Sequence, residues 1–176
     1  ILASYIFLDR DGTLIRHIPY LTDPNQVQLL PKVIEGMNKL KRLGFKFGII
    51  SNQSVIGRGL ATKSEVDQVN SRVLSLLKSE GISISFVKVC PHVPADLCQC
   101  RKPVPKLGRE AKDEFQIDMS RSFMIGDADS DISFGQNIGC QTIQIVKSAL
   151  QATNADYATI DLLSAADYVG SKMKRV

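Results

Sequence analysis

Phe7-Leu8-Asp9-Arg10-Asp11-Gly12-Thr13-Leu14 is the stretch on which the reading of this chain turns. The apolar run from Tyr5 to Leu8 predicts a buried strand, and it ends in two carboxylates one residue apart, followed by Gly-Thr. Two acids at a strand end are costly unless something uses them, and a magnesium ion, which takes oxygen ligands, would relieve their repulsion. One carboxylate would then attack a phosphoryl group while the other handles a proton. Gly12 is expected to serve backbone geometry whatever the function.

Working outward, residues 15–29 hold two prolines and no sustained period, which predicts a loop or small flap. Pro31 suits the first turn of a helix whose apolar face is Val33, Ile34, Met37, Leu40 and Leu43, closed by Gly44. Phe45 to Ile50 predicts a second buried strand, followed by Ser51-Asn52-Gln53-Ser54 and a loop loosened by Gly57 and Gly59. Thr62 and Glu65 form a capping box for a helix with Val66, Val69, Val73, Leu76 and Leu77 inward and Gly81 as its stop. Further strands are expected at 84–89, 122–125 and 141–146, with helices at 105–117 and 129–138 and a short edge element and last helix within 155–169. Strands alternating with helices predict an α/β fold, a parallel sheet covered on both faces in three layers. Ligands of such sheets bind at the carboxyl ends of the strands, so Asp9, Ser51 and Asp127, each after a predicted strand, would share one crevice.

At 176 residues, with 44% hydrophobic and 23% charged content, one folded domain spanning 1–176 is expected. No apolar run approaches the ~20 residues of a membrane span, and no signal peptide pattern opens the chain, so a cytoplasmic setting is the expectation. The chain starts at Ile1 rather than Met, which leaves trimming open. A net charge of +4 with scattered Lys and Arg is compatible with an anionic substrate and is a weak signal for nucleic acid.

A second constellation is Cys90-Pro91-His92, then five residues, then Cys98-Gln99-Cys100. Three thiols and an imidazole within eleven residues suit a tetrahedral Cys3His zinc site, closed and therefore structural, in a loop of about residues 90–103. Arg101 and Lys102 follow the last ligand directly, so zinc would fix the loop that aims them. Cys140, isolated among apolar residues, is expected in the core.

Asp9-x-Asp11-Gly12-Thr13, Ser51, Lys102 and Gly126-Asp127-x-x-x-Asp131, taken together and in this order, resemble the four motifs of the haloacid dehalogenase (HAD) superfamily of phosphatases. The resemblance implies a Rossmann-like HAD fold, essentially capless here, with the zinc loop as an insertion. It implies that Asp9 is the nucleophile forming an aspartyl-phosphate, and that Asp11 protonates the leaving oxygen and then activates water. It also implies magnesium on Asp9, Asp127 and the backbone carbonyl of Asp11, with Ser51 and Lys102 clamping the phosphoryl oxygens and Asp131 orienting its neighbours.

The string Cys90 to Pro103, with Ser51 to Gly59, is similar to the D-glycero-D-manno-heptose 1,7-bisphosphate 7-phosphatases and to the histidinol-phosphate phosphatase domain of the bifunctional histidine enzyme. Tyr20 to Asp23 before Gln28 to Pro31, and Gln53-Ser54 through Arg58-Gly59, tilt the resemblance to the heptose branch, in accord with a chain lacking a dehydratase partner domain. It implies a small phosphorylated sugar as substrate, with His17, Tyr20, Ser51, Asn52, Gln53, Ser54 and Arg101 facing it alongside Lys102. There is one departure: Ala128 follows Asp127, where heptose enzymes often carry Lys, and this bears on sugar recognition. Polynucleotide 3′-phosphatases share part of the pattern but would want base-stacking aromatics, here 6% with no Trp. A phosphoacceptor receiver domain would leave the thiols and the Asp9–Asp11 pair without a role. Neither a nucleic-acid nor a membrane partner is expected, and a monomer is.

Overall fold

The computed structural model describes residues 1–173, so the last three residues of the expected domain, 174–176, lie outside the described part. Six parallel strands form one sheet: β1 (Tyr5–Leu8), β2 (Lys46–Asn52), β3 (Phe86–Cys90), β4 (Phe123–Gly126), β5 (Gln141–Ile145) and β6 (Tyr157–Thr159), in the order β3-β2-β1-β4-β5-β6. The helices are α1 (Val33–Arg42), α2 (Ser54–Gly57), α3 (Lys63–Ser79), α4 (Lys106–Phe115), α5 (Asp129–Asn137) and α6 (Leu162–Met173). The order reverses at β1, so β1 and its neighbours β2 and β4 meet where open α/β sheets bind ligands.

Alternation along β1 divides the core between two layers. Ile6 and Leu8 point into an apolar cluster with Met37 and Leu40 of α1, Val69 and Val73 of α3 and Ala165 and Val169 of α6. Tyr5 and Phe7 point the other way, onto Leu107 and Ala111 of α4 and Phe134 of α5. Every residue of β1 is buried on one face or the other, the burial typical of a central parallel strand. Cys140 is in the second of these cores, as its setting predicts.

The predicted capping box is formed: Thr62 Oγ1 accepts from the Glu65 backbone N–H at 3.2 Å, and the Thr62 backbone N–H donates to Glu65 Oε2 at 2.7 Å. Three local expectations are corrected. Pro31 lies outside α1, because Leu30 N–H donates to Leu14 O at 3.0 Å and Lys32 then turns the chain with φ +68°, a left-handed cap that a helix cannot run through. Residues after Ser54 form a turn of helix rather than a loose loop. Ser51 and Asn52 belong to β2 instead of following it, since pairing with β3 continues through Ser51↔Val89 and Asn52↔Cys90. Among the described residues no helix is long and apolar enough to cross a membrane.

Candidate active site

Asp9 follows the last residue of β1 and Asp127 follows β4, so parallel register places them side by side at the carboxyl edge. Carboxylate oxygens of Asp9, Asp127 and Asp131 lie within 4.8 Å of one another. Such crowding is permitted by Gly12: its φ is +79°, and a Cβ there would stand 2.1 Å from Asp127 Oδ2. Burial, then the charges of Asp9 and Asp131, push the Asp127 carboxyl up to about 7. Burial and Asp131 likewise push the Asp9 carboxyl up, against the pull of Lys102. A site that raises its own acids in this way suits a divalent cation, which would reverse both shifts.

Lys102 is the centre of charge balance. Its ammonium is almost fully buried and donates to Asp9 Oδ1 at 2.8 Å, Asp131 Oδ1 at 2.6 Å and the Ile50 carbonyl at 2.7 Å. Burial alone would lower its pKa, but the two carboxylates more than offset this and hold it above the ordinary lysine value. Asp131 spends its other oxygen on the Ala128 N–H at 3.0 Å. With both oxygens engaged, Asp131 acts on Lys102 and the β4–α5 turn, and Asp9 and Asp127 are left with the freer oxygens for a cation.

Asp11 lines the same cleft. Gln53 Nε2 donates to Asp11 Oδ2 at 2.8 Å and to Ser51 Oγ at 2.7 Å, so the two residues are linked through one amide. Asn52 braces the lysine loop by a reciprocal pair, its Oδ1 accepting from Lys102 N–H at 3.0 Å and its Nδ2 donating to Lys102 O at 3.2 Å.

Two adjoining cavities, about 280 Å³ and 300 Å³, share Asp11, His17 and Asn52 in their walls. One is lined also by Tyr20, Gln53 and Ser54, the other by Asp9, Arg101, Lys102 and Asp127. The expected substrate-facing residues therefore gather around one cleft, with Ser51 beneath Gln53. Tyr20 carries φ +54°, an uncommon backbone state for a tyrosine, and has the Arg58 guanidinium 5.8 Å from its ring centre. Ala128 also lines the cleft, where it offers only a methyl group.

The cysteine loop starts at the end of β3. Sulfur separations are 3.6 Å for Cys90–Cys98 and 3.8 Å for Cys98–Cys100, and His92 Nδ1 is 3.6 Å from Cys90 and 3.2 Å from Cys100. A tetrahedral zinc ion at its usual bond length separates two thiolates by about 3.7 Å, which most of these spacings match; Cys90–Cys100, at 2.9 Å, is tighter. The thiols differ in charge preference: burial pushes Cys90 up to about 12 and raises Cys100 as well. Burial opposes ionisation of Cys98, but the backbone N–H groups of Cys100 and Arg101 bring its thiol down to about 6. The loop is seated against α2, where Gly57 N–H donates to Pro91 O at 2.8 Å and a Cβ on Gly57 would meet that oxygen at 2.7 Å. Arg101 Nη1 donates back to His92 O at 3.3 Å, so the cluster and the cleft share a backbone segment.

Three side chains escaped sequence reasoning. Arg10, Asn70 and Gln144 are each at least nine-tenths buried and polar. Gln144 on β5 donates to the Asp127 carbonyl at 3.0 Å. Asn70 sits in the apolar face of α3 beside Val66, Val69 and Val73, and that interruption was the available signal for a buried partner.

A HAD-hydrolase-like family model matches residues 99–169. The chain is 36% identical over 122 residues to a probable D-glycero-D-manno-heptose-1,7-bisphosphate 7-phosphatase of Thermoplasma volcanium, covering 69% of this chain and 84% of that protein. This chain belongs to the HAD phosphatases. Another relative is the bifunctional histidine biosynthesis protein HisB of Blochmanniella floridana, 38% identical over 143 residues; the match covers 79% of this chain but only 40% of that protein. Among solved structures, the D,D-heptose 1,7-bisphosphate phosphatase of B. bronchiseptica superposes with a TM-score of 0.84 at 22% identity, over 96% of this chain and 99% of that one, which shows the same fold.

Proposed function

We propose that the chain hydrolyses the 7-phosphate of D-glycero-D-manno-heptose 1,7-bisphosphate, a step toward nucleotide-activated heptose, through an aspartyl-phosphate on Asp9. The observation that carries the chemistry is the buried Lys102 ammonium held between Asp9 and Asp131 beside Asp127, in a cleft that Asp11 also lines. The substrate reading is supported by the heptose-phosphatase name of the Thermoplasma volcanium relative.

In the first half-reaction an Asp9 oxygen bonds to phosphorus, the ester P–O bond breaks, and protonated Asp11 gives its proton to the departing sugar oxygen. In the second, water attacks phosphorus, Asp11 takes the water proton, and the bond to Asp9 breaks to release inorganic phosphate. Lys102 and Ser51 hold the remaining phosphoryl oxygens and neutralise their charge. Asp9, Asp127 and the Asp11 carbonyl would hold magnesium, which supplies Lewis-acid stabilisation of that same charge. Cys90, His92, Cys98 and Cys100 would hold a structural zinc that sets the course of the loop into Arg101 and Lys102. His17, Tyr20, Asn52, Gln53, Ser54 and Arg101 would contact the sugar.

Comparing kcat/KM for both anomers of the heptose bisphosphate, histidinol phosphate and a 3′-phosphorylated oligonucleotide tests the reading. A heptose anomer is expected to lead, with only the 7-phosphate released. A preference for histidinol phosphate or the oligonucleotide would overturn the substrate, and normal turnover by Asp9→Asn would overturn the mechanism.

A further inference from the structure

The Arg10 side chain is 1% exposed, the largest of the fully buried side chains, yet it projects from a strand end between two catalytic-type aspartates. Its Nε donates to Asp11 Oδ2 and its Nη2 to Asp11 Oδ1, both at 3.2 Å, while Nη1 donates to Asn70 Oδ1 at 2.9 Å. Burying a guanidinium is expensive and one carboxylate gives only partial return, so stability alone is a poor reason for it. The fork fixes the plane of a carboxylate in a way that a single bond from Gln53 would not. Gln53 then ties the same carboxylate to Ser51, and by filling an acceptor position on Ser51 Oγ it leaves the hydroxyl proton free to point at a phosphoryl oxygen.

We infer that Arg10 is a positioning residue that holds the Asp11 carboxylate at the height and angle needed for proton transfer, and that Asn70 on α3 holds Arg10. The inference rests on the aspartyl-phosphate reading above. Arg10 exchanges no proton and touches no substrate; it acts through Asp11. The helix that packs under the sheet thereby reaches the reacting atoms through one amide and one guanidinium, which makes the α3 face with Asn70 part of the active-site frame.

The test uses two classes of substrate. Nitrophenolate leaves phosphorus without being protonated, so nitrophenyl phosphate needs Asp11 only for the second half-reaction, whereas a sugar phosphate needs it for both. Asn70→Ala, and separately Arg10→Met, are expected to lower kcat on the sugar phosphate about 10- to 100-fold with little change in KM. With nitrophenyl phosphate they are expected to give a burst of nitrophenolate approaching one equivalent per site, followed by slow turnover, as the aspartyl-phosphate accumulates. Asn70→Ala keeps the buried guanidinium but removes the bond that holds it, and guards against the possibility that Arg10→Met does not fold. Equal losses on both substrates with no burst in Asn70→Ala, or unchanged kcat, would overturn the positioning role. Asp9→Asn runs alongside: if it turns over normally, the covalent reading has failed, whereas an inactive Asp9→Asn with an unaffected Asn70→Ala fails only the present inference.

Discussion

The groups around Asp9 come from positions 9, 51, 102, 127 and 131, while the four ligand-type residues of the cysteine loop all lie between 90 and 100. The first group is assembled by the sheet: parallel register sets Asp9 beside Asp127, and Lys102 arrives from beyond β3 to sit between Asp9 and Asp131. The second is assembled by local spacing, with Cys90 buried at the end of β3 and His92, Cys98 and Cys100 half-buried. What the difference teaches is that one centre is held by the register of the sheet, and the other by a short backbone segment seated on α2, whose four ligand-type side chains a metal would cross-link. The two meet at Arg101 and Lys102, so the locally built cluster runs directly into the buried ammonium of the globally built one.

The largest effect that would break this contrast is at Lys102. Lys102→Met leaves Asp9, Asp127 and Asp131 mutually repelling in a buried site, and both kcat/KM, by about 1000-fold or more, and thermal stability are expected to fall. An active Lys102→Met enzyme would mean that the buried ammonium is not the charge clamp. Next is the loop: Cys98→Ser, or stripping zinc with a strong chelator, is expected to cost about 10- to 100-fold in kcat/KM while far-ultraviolet circular dichroism retains the sheet signal. Global unfolding on zinc removal would show that the two regions are not built independently. Asn52→Ala removes only the brace on the Lys102 backbone, and a loss of about tenfold is expected, concentrated in kcat. Smallest is Thr62→Ala at the α3 cap, expected to cost about 1 kcal/mol, or about 2–4 °C in Tm, with unchanged kcat.

The contrast also explains what was legible beforehand. Asp9, Asp11 and Asp127 stand out because carboxylates at the ends of apolar runs have no structural excuse, and Cys90, His92, Cys98 and Cys100 because their spacing is itself the signal. Five strands, a short edge element and the flanking helices other than α2 follow from apolar runs and caps such as Thr62 and Glu65. Ser51 reads as a residue beyond β2 because its polarity hides that it is paired with Val89 and is 1% exposed. Arg10 and Asn70 were invisible for a related reason: a buried ion or amide is explained only by a partner distant in sequence, here sixty residues away. Lys32 in the left-handed region likewise answers to the Leu30–Leu14 bond, a contact that no helix signal around Pro31 contains.

The account depends most on Asp9 as the atom donor to phosphorus, and acid-quenched peptide mapping during turnover of the heptose bisphosphate with magnesium addresses it directly. A phosphoryl group on the peptide containing Asp9, absent in Asp9→Asn and released by hydroxylamine, is the predicted result; turnover with Asp9 unmodified throughout, or an adduct on another residue, would contradict it.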